Sequence, residues 1–226
     1  HRDLHKEYRR QRQMCIRDRS IGMGADALGF NFVPGSKRQI RPAVARDIVR
    51  RLPGGVLTVG VFRDEIKESV VEVVHQAGLQ AAQLHGQESA EESSWIAQRV
   101  PSVIKAFAAG DPAIDHLERH SAKAVLVDAP EPGSGQVFDW SMLDGRERGC
   151  PLILAGGLTP ANVANAIRVV RPWGVDVASG VEISPGVKDP IRVREFVIAA
   201  QRAGDEVNPR PDDFDPEAPR PYDWRD

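Results

Sequence analysis

Short apolar runs alternate with amphipathic segments along most of the chain. Seven runs have the composition of buried strands, and they begin near residues 25, 57, 81, 103, 124, 152 and 174. The segments between them carry apolar residues at helical spacing; in residues 65–77, for example, Ile66, Val70 and Val74 fall on one face. Continuous apolar strands separated by amphipathic helices predict a parallel sheet with helices packed outside it.

The same patterns predict element boundaries and a fold class. Strands are predicted over residues 25–32, 57–62, 81–85, 103–108, 124–129, 152–155 and 174–178. Helices are predicted over residues 41–52, 65–77, 88–100 and 190–203, with one more that opens at Thr159 and Pro160 and weaker turns at 114–120 and 139–143. Because a closed barrel of this type has eight strands, we expect an α/β fold, a (β/α)8 TIM barrel whose first β/α unit is absent or non-native in this chain.

The two ends of the chain differ from this repeating middle. Residues 1–20 are polar and basic, and the string MCIRDR within them resembles a translated sequencing adapter. Residues 205–226 are acidic and rich in proline, a composition typical of disordered tails. We therefore expect a basic segment at 1–20 that is foreign to the domain, a barrel domain at 21–204 and a disordered tail at 205–226. A basic arm that binds an anionic partner is the alternative for the first segment.

Composition narrows the classes of function. The 226 residues are 41% hydrophobic and 27% charged, and the formal net charge of −2 does not favour nucleic-acid binding. No apolar run is long enough to span a membrane, and residues 1–20 lack the apolar core of a signal peptide. The two cysteines, Cys15 and Cys150, form no metal-binding motif. We expect a cytoplasmic protein with no nucleic-acid partner, no membrane partner and no metal.

Two glycine turns in the last third of the chain predict a phosphate site. Gly156 and Gly157 follow one predicted strand, and Ser179 and Gly180 follow the next. Glycine lets backbone N–H groups approach an anion closely, and the last two strands of (β/α)8 barrels often supply a phosphate site. The turns therefore indicate a barrel enzyme that binds a phosphorylated small molecule.

Eight pieces of the sequence, taken in order, resemble the phosphoribosylanthranilate isomerase family. They include GADALGFNF at 24–32, QLHG at 83–86, LVDA at 126–129, LAGGL at 154–158 and GVDVASGVE at 174–182, and the resemblance covers residues 21–204. It implies an Amadori rearrangement of N-(5-phosphoribosyl)anthranilate to 1-(2-carboxyphenylamino)-1-deoxyribulose 5-phosphate in tryptophan biosynthesis. It also implies that no cofactor is needed, that the partner is a phosphoribosyl small molecule, and that the protein is a monomer or a homodimer.

The resemblance assigns roles to residues at strand ends. Asp128 falls at the position of the general acid, and Arg38 falls at that of the arginine that holds the anthranilate carboxylate. Gln83 and His85 share one face of a strand and are expected to line the site. Asp176, inside a predicted strand, is expected to be a buried carboxylate that needs a partner and that either supports the structure or helps to bind substrate. The phosphate cradle of the family matches Gly156, Gly157, Ser179 and Gly180.

The general base is the point at which the chain departs from the family. The family places a cysteine in a KICG-type turn well before the GAD motif, whereas Cys15 lies nine residues before Gly24 and is followed by Ile16 and Arg17. Cys15 is therefore a poor match for the base, and Cys150 precedes a strand, at the end opposite the chemistry. We expect little isomerase activity from the chain as written.

Two other classes of function stay open on the sequence alone. A related phosphate-binding barrel is one: an indole-glycerol-phosphate synthase would need a catalytic lysine, for which Lys105 is the candidate. A ribulose-phosphate epimerase would need metal ligands on several strands, and His85 alone is suitably placed. A non-catalytic barrel that binds a sugar phosphate is the other, and a poorly matched base is what favours it.

Overall fold

The computed structural model describes residues 22, 24–130, 137–143 and 149–208. Within these residues, seven strands form one parallel sheet in chain order. The strands are β1 (Ala27–Asn31), β2 (Leu57–Phe62), β3 (Ala81–Leu84), β4 (Val103–Ala108), β5 (Ala124–Asp128), β6 (Leu152–Leu154) and β7 (Gly174–Val175). The seven predicted strands are thus confirmed, and in the described part of the chain β1 and β7 are the two edges of the sheet.

Five α-helices connect or follow these strands. They are α1 (Pro42–Val49), α2 (Lys67–Ala77), α3 (Ala90–Ala97), α4 (Val163–Val170) and α5 (Pro190–Val207), and 3₁₀ turns cover Pro112–His120, Trp140–Leu143 and Ser179–Val181. Local sequence sets several of the ends. Ser89 and Glu92 form a capping box before α3, and Gly78 ends α2 in the left-handed conformation with φ of 69°.

Alternate residues of the strands divide the core into two layers. One face of the strands forms a cluster inside the curled sheet, with residues such as Ala81, Ile104 and Leu126. The opposite face packs against the helices; Val103, for example, belongs to a cluster with Ile96 of α3. Since successive residues of a strand point to opposite faces, residue parity decides whether a side chain at a strand end faces the interior or the helix layer.

A hairpin that follows β7 packs against the loop after β1. An antiparallel hairpin, β8 (Glu182–Ser184) and β9 (Val187–Lys188), follows β7 and is not predicted by the apolar pattern. Its turn residue Gly186 has φ of +82°, and a Cβ added there would lie 3.1 Å from the carbonyl oxygen of Lys37. The hairpin turn therefore packs closely on the loop after β1.

Some predicted boundaries are wrong. The helix expected to open at Thr159 begins at Val163, after a turn in which the Asn162 side chain accepts a hydrogen bond from the N–H of Thr159. The last helix extends to Val207, into the segment assigned to the tail, because its apolar face continues through Ala203. The expectations for residues 1–20 and for the tail from 209 onward lie outside the described residues.

No helix in the described part of the chain combines the length and the hydropathy that a membrane span would need.

Candidate active site

The carboxyl ends of β3 and β5 bring three polar side chains together. Asp128 is the last residue of β5 and is 8% exposed. His85 follows β3 directly, and its Nε2 lies 3.2 Å from Oδ2 of Asp128. Its Nδ1 lies 3.0 Å from Nε2 of Gln83. Gln83 and His85 have the same parity as Ala81, which packs inside the sheet, so this cluster faces the interior at the carboxyl end, as predicted for the site.

The hydrogen bonds of this cluster set the tautomer of the histidine. With the Gln83 amide donating, Nδ1 of His85 accepts, and the neutral ring then carries its proton on Nε2, towards Asp128. The short Nε2 to Oδ2 distance is not aligned as a hydrogen bond. Asp128 is fixed separately, because its Oδ1 accepts from the N–H of Ala129 at 2.8 Å. The contact can therefore tighten with a small ring rotation.

Asp176 differs from its prediction. It lies one residue beyond β7 rather than inside a strand, and solvent reaches its side chain instead of leaving it buried. The strand is shorter than predicted because its pairing with β6 stops at Val175. Desolvation by the surrounding protein nevertheless raises the pKa of Asp176; the charge of Lys188 opposes that rise, and the charge of Asp128 adds to it. Asp176 thus belongs to the same electrostatic cluster as Asp128.

Arg38 is held by a carboxylate of the hairpin. Its Nε and Nη2 donate to Oε1 and Oε2 of Glu182 at 2.9 and 2.7 Å, a two-bond fork. This hydrogen bonding raises the pKa of Arg38, although its partial burial opposes the rise. Lys188 lies 3.4 Å from the same carboxylate and also donates to the carbonyl oxygen of Ala178. Burial lowers the pKa of Lys188, against the raising effect of Glu182. The predicted carboxylate anchor is therefore oriented by Glu182.

The two glycine turns lie against each other and against β5. Gly156 and Gly157 have φ of 85° and 62°, in the left-handed region. A Cβ on Gly156 would press on the backbone of Ala129, and one on Gly180 would collide with the carbonyl oxygen of Leu158. Such close backbone approach is possible only for glycine. The turn after β6 and the turn after β7, which includes the 3₁₀ turn Ser179–Val181, therefore lie in close backbone contact.

Lys105 does not face the site. It has the parity of Val103 and Phe107, which pack on the helix side of the sheet. Its Nζ lies 2.8 Å from Oε2 of Glu88, with side-chain exposures of 3% and 5%. Lys105 therefore fails as the catalytic lysine of a synthase. Among the described residues no group of three or more His, Cys, Asp or Glu side chains is placed to hold a metal ion, so no observation favours the epimerase.

Among the described residues no cysteine is placed to act as a base at this site. Cys150 lies before β6, at the amino end of the strand, on the side of the sheet away from Asp128. Cys15 lies outside the described residues.

Comparison with known proteins decides the family. The family model for N-(5'-phosphoribosyl)anthranilate (PRA) isomerase matches residues 12–199. A protein of Desulforudis audaxviator called N-(5'-phosphoribosyl)anthranilate isomerase is 46% identical over 191 residues, which are 81% of this chain and 91% of that protein. The chain belongs to the phosphoribosylanthranilate isomerase family.

Solved structures of the family share the fold. The phosphoribosyl anthranilate isomerase of Thermus thermophilus is 38% identical and superposes with a TM-score of 0.77, covering 83% of this chain and 94% of that one. Another family structure, in complex with reduced 1-(o-carboxyphenylamino)-1-deoxyribulose 5-phosphate, is 42% identical with a TM-score of 0.73, covering 81% and 91% of the two chains. The TIM-barrel prediction and the resemblance are both confirmed. The family match begins before the predicted boundary at residue 21 and includes Cys15.

Two features of this isomerase-family chain that contact the site residues are not predicted by the sequence patterns. Glu182 is one, since an acid in a short polar hairpin gives no periodic signal. The Lys105–Glu88 pair is the other, although a lysine inside the apolar strand at 103–108 is itself a signal, because a buried ammonium requires a partner.

Proposed function

We infer that this chain catalyses the Amadori rearrangement for which its family is named, with Asp128 as the general acid. In this reaction a proton passes to the ring oxygen of the phosphoribosyl group, and the bond from C1′ to that oxygen breaks with its electron pair moving to the oxygen. The anilino nitrogen supplies its lone pair to form a protonated imine. Loss of the C2′ proton to a base then gives an enolamine, which tautomerises to the ketose.

The position of Asp128 is the observation that carries this assignment. Asp128 is the last residue of β5, at the carboxyl end of the strand, where barrel enzymes carry their catalytic side chains. Asp128 is 8% exposed and interacts with the charge of Asp176. His85, 3.2 Å away, is placed to donate from Nε2 to the carboxylate that forms when the proton has left.

Binding of the substrate is assigned to two other surfaces. Arg38, oriented by Glu182 through Nε and Nη2, is proposed to direct its remaining N–H groups at the anthranilate carboxylate. The glycine turns at Gly156–Gly157 and Ser179–Gly180 are proposed to hold the phosphate with backbone N–H groups. Gln83 is proposed to keep the imidazole of His85 in one orientation.

The base at C2′ is not assigned to a described residue. Cys15 lies within the family match, but its distance from Gly24 and the residues that follow it do not match the family's KICG-type turn. A cytoplasmic location and the choice between monomer and homodimer stay predictions.

The test is Asp128→Asn, compared with Asp47→Asn on the exposed face of α1. Asp128→Asn should lower kcat by roughly 10²- to 10⁴-fold, because loss of one acid–base group commonly costs that much. Binding of reduced 1-(o-carboxyphenylamino)-1-deoxyribulose 5-phosphate, the reduced product analogue, should be retained. Equal turnover by the two variants would overturn the assignment. Analogue binding by the unsubstituted chain with no turnover at all would fit both a non-catalytic sugar-phosphate barrel and an enzyme that lacks its base. Adding a KICG-type first unit separates the two, because only the enzyme would gain turnover.

A further inference from the structure

The carbonyl groups of the two residues on either side of His85 are bound by one buried ammonium on the other face of the sheet. Nζ of Lys105 donates to the carbonyl oxygen of Leu84 at 3.3 Å and to that of Gly86 at 2.8 Å. His85 stands between these two residues, and its own N–H donates to the carbonyl oxygen of Phe62 at 2.8 Å. The backbone of His85 is therefore fixed on three sides, although its imidazole faces the interior and Lys105 faces the helices.

Glu88 completes this arrangement from the loop after β3. Its Oε2 lies 2.8 Å from Nζ of Lys105 and accepts from the N–H of Gly86 at 2.9 Å. Its Oε1 accepts from the N–H of Asp64, in the loop after β2, at 3.0 Å. Asp64 in turn accepts from the N–H of Gln87 at 2.7 Å, and a Cβ on Gly86 would collide with Asp64. The ion pair thus ties the loops after β2 and β3 to the middle of β4.

We propose that the Lys105–Glu88 pair is a positioning unit for the reaction, which acts by holding the backbone of His85 so that the ring stays between Gln83 and Asp128. The inference rests on the proposed function, because the pair touches neither substrate nor the reacting atoms and acts only through His85. If the pair served only to support helix packing, its ammonium would not need to bind the carbonyl groups on both sides of the same histidine.

Nuclear magnetic resonance of the histidine rings tests this without turnover. In the unsubstituted chain the two ring nitrogens of His85 should give well-separated ¹⁵N shifts, since Nδ1 accepts and Nε2 carries the proton. In Lys105→Met these shifts should converge, because a ring released from Gln83 exchanges between tautomers. Lys123→Met removes an exposed ammonium from the amino end of β5 and should leave them separate. The exposed His75 of α2 is an internal reference that should not move in any variant.

Kinetics supply the second readout. Lys105→Met should lower kcat by roughly 10- to 100-fold, the range expected when a reacting group is displaced by about an ångström, with little change in affinity for the reduced product analogue. In a His85→Asn background the same substitution should cost much less, because coupled residues are not additive. Glu88→Gln, which keeps the shape and one acceptor, should show the same effects more weakly and serves if Lys105→Met does not fold.

Separate outcomes identify which claim fails. Unchanged His85 shifts in folded Lys105→Met, or in Glu88→Gln if that variant alone folds, would overturn the positioning role even if Asp128→Asn abolishes turnover. Full turnover by Asp128→Asn would instead overturn the proposed function, whereas the ring spectra would still show whether Lys105 fixes His85.

Discussion

The two sides of the site are built in different ways. At the ends of β3 and β5, Asp128 and His85 are attached directly to sheet strands, and the supporting Lys105–Glu88 pair is buried at 3% and 5% exposure. On the side of β7 and the hairpin, the strands contain only two or three residues, and Arg38 is 28% exposed. In the proposed function, proton transfer belongs to the side of β3 and β5, and substrate anchoring belongs to the side of β7 and the hairpin.

This difference fits the demands of the two tasks. A proton moves only if donor and acceptor keep their distance to within a fraction of an ångström, and packed strands supply that precision. A carboxylate or phosphate can be held by charge-assisted hydrogen bonds that adjust as the ligand enters. Four substitutions would break or sharpen the comparison, and they are ordered by the size of the expected effect.

The largest effect on stability is expected for the buried Lys105–Glu88 pair. Lys105→Met should lower the free energy of unfolding by about 3–5 kcal/mol, because it leaves the Glu88 carboxylate buried without its cation. The double variant Lys105→Met, Glu88→Gln should be less destabilised than the single one, since it buries no lone charge. Chemical denaturation measures both, with Lys123→Met as the surface control. A double variant that is less stable than the single one would contradict this account.

Arg38, the proposed anchor of the anthranilate carboxylate, should affect the affinity for ligand more than the free energy of unfolding. Arg38→Met should weaken binding of the reduced product analogue by roughly 10- to 100-fold, the equivalent of one or two hydrogen bonds between charged groups. Arg168→Met removes an arginine from an exposed pair with Glu206 on the helices and should leave affinity unchanged. Calorimetric titration distinguishes the two variants, and equal affinities would exclude Arg38 as the anchor.

Glu182 should make the hairpin side sensitive to acid. Burial works against its charge, but hydrogen bonding from Arg38 and the charges of Lys188 and Arg38 outweigh that effect and lower its pKa below the ordinary 4.5. A carboxyl with a depressed pKa in the folded state adds stability that is present above its unfolded pKa and is lost as the pH falls through the folded value. Above that pH range, the free energy of unfolding should therefore be lower for Glu182→Gln than for the unsubstituted chain. Below that range the two values should agree. Glu206→Gln, in the exposed Arg168 pair, should show little such difference.

On the side of β3 and β5, a smaller effect on stability is expected from His120, at a higher pH than that of Glu182. His120 lies beneath β4, in contact with Ser93 and the ring of Phe107. Burial lowers its pKa below 6.5, and the charge of Lys105 adds to this, with opposing effects from Glu88, Asp111 and Glu118. A histidine that is held neutral adds stability above its unfolded pKa, and this is lost as the pH falls below that value. In His120→Gln the free energy of unfolding should change less with pH just below pH 6.5. If the slope there is unchanged, other groups cause the pH dependence.

Strands were easier to predict than the contacts that complete the site. The runs at 57–62 and 103–108 are apolar and bounded by polar residues, and their predicted limits agree with β2 and β4. Asp128 and His85 could be placed because strand parity and strand ends are local properties. Asp176 was misplaced because the end of β7 depends on its pairing with β6, and the partner of Arg38 was missed because that contact is tertiary.

The fork between Arg38 and Glu182 also has a consequence for the order in which the site is completed. The two residues are 144 positions apart in the chain, whereas Lys105 and Glu88 are separated by only 17. A ribosome adds residues from the amino end, so the acid, its histidine and their buried support all leave the exit tunnel before Glu182 is made. During synthesis the proton-transfer side can assemble first, and Arg38 of the nascent protein is oriented only once the hairpin that carries Glu182 has been made.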